Sequence, residues 1–218
     1  SDGGVYVGAI FDNTISVNGT THTGTPSVTD GLELLVIKLR SDGQVHWSAD
    51  IGSLGENSML SSSVSPNDHF SVLFTHQSSD SWMYIKSSTG SYTQFFAEEP
   101  PSGQDEYYAT FSSTGAITNY QLTNAVSTSQ VVADINLHTY VVRQYYSGTH
   151  LGYYAVIDVL DGACGCQVAA LNSTYVRSPV SFANVKIVSM GEGVFLWFEL
   201  SSDSYAEVAT DHYFTTTA

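Results

Sequence analysis

One feature constrains this chain more than any other. Short runs of β-branched and aromatic residues recur along it, separated by clusters of Gly, Asn, Asp and Ser. Period-two alternation within the runs points to strands, and no run carries the 3.6-residue spacing of an amphipathic helix. Strands are expected at Val5–Phe11, Thr14–Val17, Leu32–Leu39, Gln44–Trp47, His69–Thr75, Trp82–Ile85 and Tyr107–Phe111. Further ones are expected at Ala116–Leu122, Thr139–Tyr146, Tyr153–Val159, Gln167–Leu171, Val185–Ser189, Val194–Leu200 and Thr210–Thr215. Asp12-Asn13 reads as the turn joining the first two, and Asn18-Gly19 as the next turn. The loop Glu98-Glu99-Pro100-Pro101-Ser102-Gly103 cannot join a ladder, because proline lacks the donor.

The strand–turn–strand rhythm repeats unevenly. Superposing the turn glycines Gly43 and Gly115 brings Phe111 onto Leu39 and Ile117 onto Val45. The expectation is one all-β domain over residues 1–218, a propeller-like stack of about four antiparallel units near 5–62, 63–126, 127–172 and 173–218. A β-sandwich is the alternative. Units of this size cannot bury both faces alone, so neighbours must stack face to face. The last unit is short, which leaves an edge to be covered. Either Val5–Phe11 or the Thr210–Thr215 tail is a candidate to add a strand there, from another copy or by closing the ring.

The first unit carries a more specific pattern: Tyr6-Val7-Gly8, Phe11, Asn18-Gly19, Asp30, Val36, Lys38-Leu39, Asp42-Gly43, Val45 and Trp47. Over residues 5–52 this resembles the SBBP-type β-propeller repeat family. The resemblance implies a propeller blade and a surface, adhesive or structural role. The family pattern describes blades and supplies no catalytic residue.

Charge narrows the function classes. Six Lys+Arg stand against 21 Asp+Glu, a net charge of −15. Counterion release on nucleic acid needs basic side chains, and an anionic membrane surface attracts the same groups, so neither partner fits. No apolar run reaches the ~18 residues of a spanning helix, so no membrane insertion is expected. The chain opens at Ser1, which reads as a processed or trimmed chain. Fifty-two Ser and Thr, scarce Lys and strong acidity point to an extracellular or cell-surface setting. Sequons at Asn18 and Asn172 are candidate N-glycosylation sites, and Ser61-Ser62-Ser63 and Thr215-Thr216-Thr217 would accept O-linked sugars. Cys164 and Cys166 are one residue apart, too close for an easy internal disulfide. Quiet thiols, a strained or intersubunit disulfide and a metal pair all remain open.

Catalytic patterns are weak. Asp68-His69 and Asp211-His212 are neighbours in sequence, so on a strand they point to opposite faces. Glu98-Glu99, Asp105-Glu106 and Asp158/Asp161 are carboxylate pairs of the kind a glycosidase uses. No nucleophile elbow, phosphate loop or dinucleotide fingerprint occurs, so no cofactor is expected beyond weak calcium binding in turns. Tyr107, Tyr145 and Tyr153 belong to Tyr-Tyr pairs whose outward rings could contact another subunit or a glycan. The leading expectation is a secreted, non-enzymatic structural or surface protein that self-associates in a fibre, coat or adhesive layer. A lectin-like carbohydrate-binding module is the alternative, and a glycosidase the third reading.

Overall fold

The computed structural model describes residues 4–12, 14–17, 19–23, 33–53, 56–77, 82–96, 105–122, 128–133, 138–149, 151–160, 173–191, 193–202 and 205–210. They form antiparallel strands and turns, with no helix among them. The protein is all-β, built from several antiparallel sheets.

Strands β1 (Val5–Phe11), β4 (Glu33–Leu39), β5 (Val45–Gly52), β8 (Trp82–Ser87) and β9 (Tyr92–Phe96) form the first sheet, in that order. The middle sheet runs β11 (Ile117–Leu122), β10 (Asp105–Phe111), β7 (Phe70–Gln77), β6 (Glu56–Val64). The third runs β12 (Thr128–Ala133), β13 (Thr139–Ser147), β14 (Gly152–Leu160), β15 (Ser173–Ser178), β18 (Glu207–Thr210). Two hairpins complete the set: β2 (Thr14–Val17) with β3 (Thr20–Thr23), and β16 (Phe182–Met190) with β17 (Gly193–Leu200).

These five layers share four cores. Leu35 and Ile37 of the first sheet meet Ile15 and Val17 of the β2–β3 hairpin. From the other face of the same strand, Leu34 and Val36 join Trp47, Ile51, Phe70, Phe74 and Phe111 between the first and middle sheets. Leu73 and Tyr108 then meet Val131 and Val141 of the third sheet. Finally Val132 and Val142 meet Val185 and Ile187 of the β16–β17 hairpin. The unbroken apolar run Leu34-Leu35-Val36-Ile37 is explained by this layering, because a strand covered on both faces has no polar side to alternate with. Burying each such side chain contributes about 1.5–3 kcal/mol.

One turn is used four times. The residue pairs Arg40/Gly43, Ser65/Asp68, Ser87/Gly90 and Ser112/Gly115 each close with an N–H of the later residue donating to the carbonyl of the earlier, at 2.9–3.0 Å. Gly43, Asp68, Gly90 and Gly115 all lie at positive φ, between 67° and 94°. This is the three-residue hairpin loop ending in a left-handed residue. Gly43 and Gly90 are 47 residues apart, as are Asp68 and Gly115. The four hairpins alternate between the first and middle sheets, β4–β5, β6–β7, β8–β9, β10–β11.

That alternation corrects the unit boundaries. Segments 5–62 and 63–126 are not separate sheets, since the chain crosses between the two facing sheets at every hairpin. Each hairpin has one strongly apolar face, and laying successive hairpins opposite one another buries those faces locally. The first two sheets therefore face each other as a sandwich pair. Gly43 and Gly115 occupy the same turn in different sheets; Leu39↔Val45 and Phe111↔Ile117 are the last pairs before each turn, as the superposition requires.

Other expectations are also redrawn. Asp12-Asn13 does not close a β1–β2 hairpin: β1 pairs with β4, and β2 pairs with β3 across Gly19. Val5–Phe11 is an edge strand of its own sheet, paired along one side with β4, and Glu207–Thr210 pairs with β15. Five strands went unread, β3, β6, β9, β12 and β15. The expected strand at Gln167–Leu171 and most of Thr210–Thr215 lie outside the described residues. Some of the hydroxyls sit inside the stack: Ser48, Ser53, Ser71, Thr75, Ser87, Thr110, Thr139 and Ser178 are buried.

Candidate functional site at the end of the stack

The two end layers differ in what they turn outward. On the β2–β3 hairpin, Ile15 and Val17 face the core, while Thr14, Ser16 and Thr21 are exposed. On the β16–β17 hairpin both faces are apolar. Val185, Ile187, Val194, Leu196 and Phe198 pack inward. Val188, Met190, Phe195 and Trp197 are 51%, 67%, 55% and 42% exposed on the opposite face. Register places Val188 opposite Phe195 and Lys186 opposite Trp197.

The local sequence explains the arrangement. Val194-Phe195-Leu196-Trp197-Phe198 is an uninterrupted apolar run, so alternation puts large side chains on both faces. The hairpin turns at Gly191, with φ at 67°. Asn184 sits beside an irregularity in the ladder at φ 50° and donates to Glu199 Oε2 at 2.5 Å. Gln130 of β12 fixes the hairpin to the third sheet. Its Nε2 donates to the Val185 carbonyl at 2.7 Å, and its Oε1 accepts from the Ile187 N–H at 2.6 Å. One amide side chain thereby occupies the two groups that a further strand would bond.

A small cleft lies near the same end. Tyr145 stacks on Tyr154, with ring centroids 5.4 Å apart and planes within 10°, and Tyr146 leans on Tyr153 at 5.0 Å. With Gln144, Ser181 and Phe182 these rings line a cavity of about 220 Å³. Tyr146 is 55% exposed, Tyr145 and Tyr153 are half-buried. Tyr107, by contrast, reaches no surface: it is 3% exposed and stacked on Phe74 between the first two sheets. Both faces of its sheet are covered, so neither ring of the Tyr107-Tyr108 pair is outward.

The remaining candidates divide as follows. Asn18, Asn172, Cys164, Cys166, Glu98, Glu99 and Asp161 lie outside the described residues, as do the side chains of Asp105 and Asp158. Among the described residues no group of three or more His, Cys, Asp or Glu is placed to hold a metal. Asp68 is not paired with its neighbour His69 but with Lys38, whose Nζ donates to Asp68 Oδ2 at 2.5 Å. Tyr6 Oη donates to Asp68 Oδ1, and Trp47 Nε1 donates to the Ser113 carbonyl. Tyr6, Lys38 and Trp47, which carry the repeat pattern, therefore clamp two turns of the middle sheet onto the first.

Two histidines form buried networks that sequence reading missed. His22 Nδ1 lies 2.6 Å from Asp50 Oδ1, tying the β2–β3 hairpin to β5; burial raises the Asp50 carboxyl while the histidine opposes the shift. His76 Nδ1 lies 3.0 Å from Ser53 Oγ and 3.2 Å from Asn57 Oδ1, and burial pushes its pKa down to about 4. Neither pair is adjacent in sequence, and nothing in local spacing signals them. Comparison with family models, curated proteins and solved structures finds no match to this chain.

Proposed function

We propose that this chain is an extracellular structural or surface protein, a propeller-like stack of β-sheet layers of the SBBP type that self-associates as a subunit of a fibre, coat or adhesive layer. The observation that carries the reading is the apolar outer face of β16–β17. A contiguous apolar patch on an otherwise hydroxyl-rich, acidic molecule is what a protein contact requires. The strong negative charge sets like surfaces against one another, which favours contact through apolar patches of this kind. The test is the mass of the native particle by sedimentation velocity from 1 to 200 µM. Growth beyond 23.5 kDa with concentration is expected, and a constant 23.5 kDa particle refutes the reading.

A second reading, carbohydrate binding, is favoured by the tyrosine cleft alone. Exposed Tyr146 and half-buried Tyr153 offer aromatic faces beside the polar ends of Gln144 and Ser181. Chemical-shift changes at these tyrosines on titration with simple hexoses would support it; unchanged spectra at saturating sugar would dismiss it.

A further inference from the structure

We infer that the outer face of the β16–β17 hairpin docks a second copy of this chain across a two-fold axis, giving a closed, tail-to-tail dimer. The inference rests on the self-association reading and specifies its geometry.

The two ends of the stack are written differently. In β4 an uninterrupted apolar run serves two cores, one on each face. In β17 an equally uninterrupted run serves one core, and Phe195 and Trp197 emerge on the far side. The β2 strand, Thr14-Ile15-Ser16-Val17, alternates as a terminal layer does. So β16–β17 has the composition of an interior layer and the position of a terminal one.

The surface that covers it must be apolar. The opposite end of the stack presents Thr14, Ser16 and Thr21 across the β2–β3 hairpin, with Val5 and Val7 of β1 exposed beside it, and seating the hairpin's hydroxyls on Phe195 and Trp197 would strip them of water without partners. Head-to-tail stacking is therefore disfavoured, and with it an open fibre through this contact. The face does complement itself. An axis lying in the interface along the strands sets β16 of one copy over β17 of the other. Val188 then meets Phe195 of the second copy, and Lys186 meets Trp197 and Glu199 of the second copy, with the same contacts repeated in reverse. Lys186 is thereby placed over an aromatic face and beside a carboxylate, which suits a cation in a chain with only six. Lys186 and Glu199 balance within the patch, so no like charges meet there, and the charge carried elsewhere on the two copies is screened beyond about 8–10 Å at physiological salt.

Size agrees with a reversible dimer. Covering the exposed parts of Val188, Met190, Phe195 and Trp197 removes on the order of 400 Å² per copy. The stems of Lys186 and Glu199 bring the total for both copies to about 1,000 Å², the lower limit of specific interfaces.

Sedimentation velocity on the full chain tests this, in reducing buffer so that Cys164 and Cys166 cannot cross-link copies. Wild type should saturate at twice the monomer mass. Phe195→Glu should remain monomeric at 200 µM with an unchanged circular dichroism spectrum. Lys186→Glu and Glu199→Lys should each weaken the dimer about tenfold, and the double swap should restore it to within about threefold. A wild-type monomer at every concentration overturns both this inference and self-association. Assembly that grows past the dimer without limit, or a dimer indifferent to Phe195→Glu, overturns the two-fold geometry while self-association stands.

Discussion

Replacing Gly115 by alanine tests the face-to-face layering directly, because the matching turn supplies its own controls. Gly43, Gly90 and Gly115 hold the same position in three copies of one turn, at φ 82°, 94° and 85°. A Cβ at Gly43 or Gly90 meets nothing within 4 Å. A Cβ at Gly115 lies 2.7 Å from Trp47 Cγ and 2.8 Å from Cδ2, atoms of the facing sheet. Trp47 cannot retreat easily. It is 1% exposed, its Nε1 is bonded to the Ser113 carbonyl at 3.1 Å, and its ring rests edge-on against Tyr6 and tilted against Phe111. Placing alanine at positive φ costs about 1 kcal/mol in any of the three turns. Overpacking a filled core adds about 1–3 kcal/mol. Gly43→Ala and Gly90→Ala should each lose about 1 kcal/mol, and Gly115→Ala about 2–4 kcal/mol, read from urea midpoints at constant slope. Trp47→Leu combined with Gly115→Ala should recover the excess in a double-mutant cycle. Equal losses at all three glycines would show that the sheets do not meet at Trp47, and the layered arrangement would fall with them.

Three other outcomes are expected. Lys38→Met leaves Asp68 without its cation while Lys38 itself is 1% exposed, so unfolding free energy should drop by about 3 kcal/mol, and Lys38→Met with Asp68→Asn should recover part of it; a loss under 1 kcal/mol would place the pair outside the fold's supports. His76 titrates near 4 when folded and near its ordinary 6.5 when unfolded, so the unfolded chain binds the extra proton and stability falls as pH drops from 6.5 to 4. The loss should approach about 3 kcal/mol, and His76→Gln should flatten that part of the pH profile relative to wild type. Gln130→Ala removes both bonds to the β16 backbone, so the Ile187 amide should exchange at least tenfold faster with deuterium while amides of β7 are unchanged.

Much of the strand content was legible because period-two alternation is a local property. The β4 and β17 runs and the Gly43 and Gly115 turns were readable from neighbours alone. The strands that escaped notice, such as Glu56–Val64 with its four serines, lack that local signal; β6 is a strand because β7 pairs along its whole length. Even the outward-facing potential of Tyr107 was undone by a second sheet that no local pattern reveals. The candidate face was half legible: Val194–Leu200 reads as a strand, but only the packing shows that its outer side is apolar and left open.

By itself, then, the sequence determined an all-β chain of antiparallel hairpins with a large negative charge, since alternation, turn chemistry and charge act over a few residues. Tertiary structure decided which hairpin faces which, where Lys38 and His76 find their partners, and which apolar face ends the stack. Those outcomes depend on contacts between residues far apart in the chain, and burial on one face or two is settled only when the neighbouring layer is in place.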